Sequence, residues 1–150
     1  MNQPDPKRVY ATAILLATGL FTFHTWVLFE TTLAFSMLAQ PAIHLLGIHL
    51  GGPVLILSTF LVLFLVHLIE AAIWAHFFHR LQHFVGFGEA MYFCGTSLTA
   101  LGYGDVVLKH PWRNLGPIMA TNGILMFGCS TAFLFLVVQR IWATLDALPG

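Results

Sequence analysis

The sequence predicts an all-α membrane protein, and three observations carry that prediction. Of its 150 residues, 58% are hydrophobic and only 8% are charged, whereas soluble domains carry about 25% charged residues. Three segments are long and apolar enough to form a helix of ~20 residues, the length that crosses a bilayer. The stretch 81–114 is different: it is mixed in polarity and holds five glycines. It is the one place where non-helical backbone at membrane depth is expected.

The first span is predicted over about 10–38 and contains His24 and Glu30. Lys7 and Arg8 precede an uncharged run at 9–29, which resembles the start of a secretory signal. That run exceeds the ~7–15 apolar residues of a signal and ends in no small-residue cleavage site, so it reads as a retained helix. Residues 41–50 are too few to span, and Ile43, Leu46 and Leu50 share one helical face, which suits an interfacial helix. Gly51-Gly52 reads as a turn, with Pro53 in the first turn of the second span. That span covers about 53–78, and the third covers about 115–142 with no charge between Arg113 and Arg140. A fourth crossing at 31–50 is disfavoured by Gln40, Pro41, His44 and His49. Trp26, Trp74, Trp112 and Trp142 fit interfacial anchoring. The division predicted is 1–52, an N-terminal helix with its interfacial segment, and 53–150, a second unit.

Zero formal net charge and the lack of a basic run exclude nucleic acid as a natural partner. Cys94 and Cys129 stand in apolar stretches without metal or redox spacing and read as small buried hydrophobes.

The chemistry concentrates in 86–105. Residues 86–100 allow only about ten helical residues, too few to cross a bilayer. They lead into Leu101-Gly102-Tyr103-Gly104-Asp105. Irregular backbone inside a membrane is tolerated where it is buried or lines a water-filled path. Glycine reaches positive φ at little cost, so alternating glycines can turn successive carbonyls to one side. Four such strands around an axis would stack rings of oxygens that replace the hydration shell of a cation.

At these residues TALGYGD resembles the TTVGYGD signature of the potassium-channel pore-domain superfamily. Ala90-Met91-Tyr92-Phe93 resembles the aromatic pore-helix stretch of bacterial two-helix channels. The run from Met126 to Ala132, with Gly128 and Thr131, resembles their cavity-lining inner helix. The layout is similar to small proteobacterial channels with an extra N-terminal helix. The resemblance covers about 53–142 and implies an outer helix (53–80), a re-entrant pore helix (87–99), a selectivity filter (100–104) and an inner helix (115–142). It implies a homotetrameric pore in the bacterial cytoplasmic membrane, assembled from three further copies in the lipid bilayer. The implied function is passive cation conduction, with potassium the permeant ion, no cofactor and no enzymatic activity.

Carried over to this sequence, Thr99, Ala100, Leu101, Gly102, Tyr103 and Gly104 form the filter, and the carbonyls of Ala100 to Tyr103 coordinate the ion. Tyr103 points its ring into an aromatic cuff with Tyr92 and Phe93. Asp105 lies behind the outer mouth within reach of the Tyr92 hydroxyl. Thr96 occupies the place of the acid that braces many filters, and Glu70 is expected to supply that acid from the outer helix. His67 and Thr96 are its two candidate partners. Gly123 and Gly128 are the candidate inner-helix hinges, and Thr131 faces the cavity. Two departures stand out. Ala100 replaces the threonine whose hydroxyl completes the innermost ion site, and Leu101 replaces valine. They predict a weakened innermost site and keep open a weakly selective or non-conducting scaffold subunit.

His76, His79 and His83 fall at i, i+3 and i+7 near the end of the outer helix, where proton or zinc sensing competes with a plain interfacial role. A membrane metalloenzyme would need several such histidine boxes, and the sequence holds one. No arginine-repeat helix exists, which argues against voltage sensing. A filter that faces outward places Lys7, Arg8, Arg80, Lys109 and Arg113 outside and leaves Arg140 inside, against the positive-inside preference.

Overall fold

The computed structural model describes residues 5–146 apart from Gln82. These residues form four helices, α1 (Pro6–Leu46), α2 (Ile48–Arg80), α3 (Phe87–Leu98) and α4 (Leu115–Asp146). No strand occurs among them. α1, α2 and α4 are long and apolar enough to cross a membrane. α3 has 12 residues, about 18 Å at 1.5 Å per residue, and cannot cross a hydrocarbon core of ~30 Å. The predicted class and element order hold: one N-terminal span, an outer helix, a short pore helix and an inner helix.

The helix boundaries differ from expectation between 41 and 53. Residues 41–46 continue α1, so no separate interfacial helix exists, and no fourth span arises at 31–50. The chain breaks at Gly47, whose φ of 71° only glycine adopts at little cost. α2 begins at Ile48, with Gly51 N–H donating to Gly47 O at 2.8 Å. Gly51 and Gly52 are therefore helical, not a turn. A Cβ on Gly51 would stand 3.0 Å from Ala42 O, and one on Gly52 would stand 3.0 Å from Ile141 Cγ2. Their service is close helix packing, the use small residues have in membranes.

Two compact units divide the described chain. One comprises α1 up to Phe23 together with His67–Phe127. Its core joins Val9, Ala13 and Leu20 of α1, Trp74 and Phe78 of α2, Phe93, Cys94 and Leu98 of α3, and Leu115, Met119 and Met126 of α4. Phe78 lies 5.4 Å from Phe93 and 5.9 Å from Trp74 between ring centroids. Such pairs contribute about 0.5–1.5 kcal/mol each. Between lipid-embedded helices, packing and hydrogen bonds replace the hydrophobic drive. Asn122 supplies the polar part, since its Nδ2 donates to Ala17 O at 3.1 Å and its Oδ1 accepts from Trp74 Nε1 at 3.4 Å. Tyr10 Oη donates to Pro111 O at 2.7 Å. Trp74 and Trp112 are buried at 0% and 5% exposure, so these two are core residues and not interfacial anchors. Trp26 and Trp142 remain exposed.

The other unit comprises His24–Val66 and α4 from Gly128. Leu55, Val137 and Ile141 form its buried centre, with Phe35, Ala39, Ala42 and Ile43 packed against it. His24 is fully buried, and its Nε2 lies 3.0 Å from Ser130 Oγ, a hydrogen bond between α1 and α4. Glu30 is exposed on α1.

Candidate functional site

α3 sets the site. Its N-cap, Gly86, has no side-chain bond to the helix. Glu89, in the first turn, accepts from Val85 N–H at 3.1 Å and satisfies a donor there. Ala90, Phe93, Cys94 and Leu98 recur at helical spacing and bury one face, while Tyr92 stays 43% exposed on another. Phe93 turns into the core against Phe78 and Phe84, which removes it from the cuff expected around Tyr103. It braces the pore helix from behind.

The end of α3 hands over to the segment 100–104 through four bonds. Thr99 is the C-cap, its N–H and Oγ1 both donating to Gly95 O at 3.2 and 2.7 Å. Ala100 N–H donates to Ser97 O and Gly102 N–H to Thr96 O, each at 3.0 Å. These bonds occupy the carbonyls of the last turn and set the direction in which the chain leaves.

Beyond Thr99 the backbone alternates in hand. Ala100, Gly102 and Gly104 have φ of 58°, 52° and 78°, and Leu101 and Tyr103 between them keep negative φ. Ala100 is the sole non-glycine with positive φ among the described residues. The left-handed region costs a non-glycine residue about 1–2 kcal/mol, and β-branched residues are outliers there. Alanine in place of threonine is thus matched to the backbone this position adopts, a point that sequence spacing could not reveal. Leu101 and Tyr103 are 59% and 68% exposed, so the segment lies bare along one side of the chain.

Asp105 ties the end of this segment back to α3. Tyr92 Oη donates to Asp105 Oδ2 at 2.7 Å, the contact expected from sequence, and Asp105 Oδ1 accepts from Val106 N–H at 3.0 Å. The Tyr92 hydroxyl holds the Asp105 carboxyl below its ordinary range, and the carboxylate in turn raises the phenol. The link is therefore complete at neutral pH. It weakens as pH falls through the lowered carboxyl value, or rises through the raised phenol value. Tyr92→Phe removes the largest of the contacts that lower the carboxyl, so its value is expected to rise while the Val106 N–H bond still holds it down. The stability that the Tyr92 bond adds at neutral pH is then absent, and gel mobility of the assembled protein across pH should show a weaker assembly at neutral pH with a smaller loss on acidification than in the wild type.

Glu70 is fully buried, and His67 Nδ1 stands 3.1 Å from its Oε2. Of the two partners expected, this is His67. Thr96 Oγ1 turns back on its own helix, to Tyr92 O and Phe93 O at 3.1 Å each. The His67 ring stacks on Phe127 of α4 with centroids 3.9 Å apart.

The two candidate hinge glycines part company. A Cβ on Gly123 would stand 2.7 Å from Leu98 Cα and 2.8 Å from Leu98 C, with Leu98 O closer still. α4 crosses the end of the pore helix at backbone contact there, a role missed at the sequence level. Gly128 has open space around it, and Thr131 is exposed. α4 is unbroken through both glycines.

The three histidines do not act as a group. Among the described residues His76, His79 and His83 do not bring their ligand atoms within reach of one ion, which removes the three-histidine zinc site. His76 is exposed, His79 meets Phe87 edge-on at 6.3 Å, and His83 lies 5.4 Å from the Trp112 ring. Burial lowers the pKa of His83, so it is neutral at pH 7.

A family model described as an ion channel matches residues 55–140, more than half of the chain. No curated protein and no solved structure matches it.

Proposed function

The chain belongs to the ion channel family through a pore domain at residues 55–140, and on that premise we propose that it is one of four identical subunits of a passive potassium channel. The alternation of backbone hand from Ala100 to Gly104 carries the reading. Residues of opposite hand in succession turn their carbonyls to the same side, and a row of carbonyls can replace a cation's water. One row is a quarter of a coordination shell. The exposure of Leu101 and Tyr103 on a lone chain supports a partner on that side. α3 ends at the filter, and a helix carboxyl end carries about −0.5 charge, which favours a cation there.

In this reading potassium sheds its water against the carbonyls of Ala100, Leu101, Gly102 and Tyr103. Tyr92 and Asp105 hold the outer end, while α4 seats the pore helix at Gly123 and lines the cavity from Gly128 to Thr131. The pore stands in a bacterial cytoplasmic membrane with its filter outward. The protein reconstituted in liposomes should carry potassium down its gradient, and Gly102→Ala, which places a Cβ at a φ of 52°, should abolish the flux at a cost of about 1–2 kcal/mol in assembly stability. An assembled wild type that passes no ion would favour the scaffold reading instead.

Ala100 sets the degree of selectivity. Without a hydroxyl ring the innermost site has weaker ligands, so sodium should be excluded less strictly than by a threonine filter. Ala100→Ser supplies the hydroxyl without a β-branch and is expected to shift the bi-ionic reversal potential toward stricter potassium selectivity. Ala100→Thr adds the same hydroxyl at φ 58° and should lower assembly stability by roughly 1–2 kcal/mol beyond Ala100→Ser.

A further inference from the structure

One cavity lies apart from the pore elements, within the unit formed by His24–Val66 and the second half of α4. It measures about 630 Å³ and opens between 32–43 of α1 and 133–144 of α4. Sites for small ligands run from about 300 to 1,000 Å³. Its walls are chiefly apolar, with Phe35, Ile43, Phe133 and Leu136 among them, and Arg140 is the one charged residue that lines it. From Leu115 to Arg140 the helix rises about 38 Å, more than the ~30 Å of a hydrocarbon core. Arg140 therefore reaches the headgroup level at the membrane face opposite the start of α4.

The hydrogen-bonding inventory fixes the sign of the ligand. The hydroxyls of Thr32, Ser36 and Thr144 donate to helix carbonyls at Leu28, Leu33 and Arg140, at 2.8, 2.7 and 3.0 Å. The remaining side-chain donors that face the cavity are the amides of Gln40 and Gln139 and the Arg140 guanidinium. Among the residues whose side chains are described, no carboxylate pairs with that guanidinium. A guanidinium and two amides among the lining of one mainly apolar cavity suit an acceptor-rich anion that carries hydrocarbon. We infer that this cavity binds an anionic phospholipid, its phosphate on Arg140 with Gln40 and Gln139, and its acyl chain along Phe35 and Phe133. The lipid would join the N-terminal helix to the inner helix at the end remote from the filter.

The test is independent of conduction. The protein, purified in mild detergent, is titrated with phosphatidylglycerol or phosphatidylcholine, and bound lipid is counted by native mass spectrometry. Phosphatidylglycerol should bind more tightly, and Arg140→Gln should weaken it about tenfold while leaving phosphatidylcholine unchanged. Leu136→Trp, which fills the cavity and keeps the charge, should weaken it as well, so the result does not hang on one variant's folding. Equal binding of the two lipids, or wild-type binding in both variants, overturns the inference. So does displacement of the lipid by inorganic phosphate alone, which would mark a soluble-anion site. A disulfide cross-link formed by Leu136→Cys with a second copy would show that protein fills the groove, and overturns it too.

Discussion

Gly123→Ala is expected to abolish ion flux and to destabilise the assembled protein by about 1–3 kcal/mol, the usual cost of overpacking. The added methyl would overlap the backbone of Leu98, 2.7 Å from its Cα. Backbone offers no rotamer to escape by, so α3 or α4 must move. Leu98 immediately precedes Thr99 and Ala100, and the bonds from Ala100 and Gly102 to Ser97 O and Thr96 O tie the filter to the same helical turn. A shift of α3 therefore passes directly into the carbonyl row. Gly128→Ala is the control, since nothing stands within 4 Å of a Cβ there. It should retain flux and gain up to about 1 kcal/mol from helix propensity. Thermal melting with flux in liposomes reads both. Equal impairment in the two variants would instead favour bending at both glycines over packing at one.

How much of this was legible in the sequence depended on the range of each signal. The turn of the backbone after α3 was legible because Gly102 and Gly104 take positive φ, and Tyr92 and Asp105 could be paired from their places around it. Helix identity was equally plain, because long uncharged runs admit no other backbone in lipid. The break between α1 and α2 was misplaced. Two adjacent glycines before a proline make a strong turn pattern, yet a positive φ settled on the single Gly47. Gly51 and Gly52 were spent on contacts with Ala42 and Ile141, which local pattern does not reveal. Trp74 and Trp112 failed for the same reason. Tryptophan is enriched at membrane interfaces, but Asn122 gives the Trp74 indole a partner inside the bundle. Asn122 itself carried a signal that spacing analysis passes over: an amide in an otherwise uncharged span needs a polar partner.

His67→Phe is expected to be the more damaging half of the buried pair on α2, at about 1–3 kcal/mol of assembly stability. Phenylalanine keeps a ring against Phe127 but removes the nitrogen 3.1 Å from Glu70 Oε2. Glu70 is fully buried, so loss of the imidazole bond takes one hydrogen-bond partner from a buried carboxyl. Glu70→Gln keeps an acceptor for the imidazole, so it should cost only about 1 kcal/mol. The double variant His67→Phe with Glu70→Leu should cost less than the sum of the two single losses, because the bond between the pair can be lost only once. The consequence for conduction follows from the stack on Phe127. His67 links the carboxyl on α2 to Phe127 of α4, one helical turn from the Gly123 contact with α3. His67→Phe should therefore hasten the decline of flux under sustained potassium gradients, and Glu70→Gln should do so less. If the double variant merely sums the two single losses in thermal melts, the pair is not coupled, and Glu70 does not serve the filter through His67.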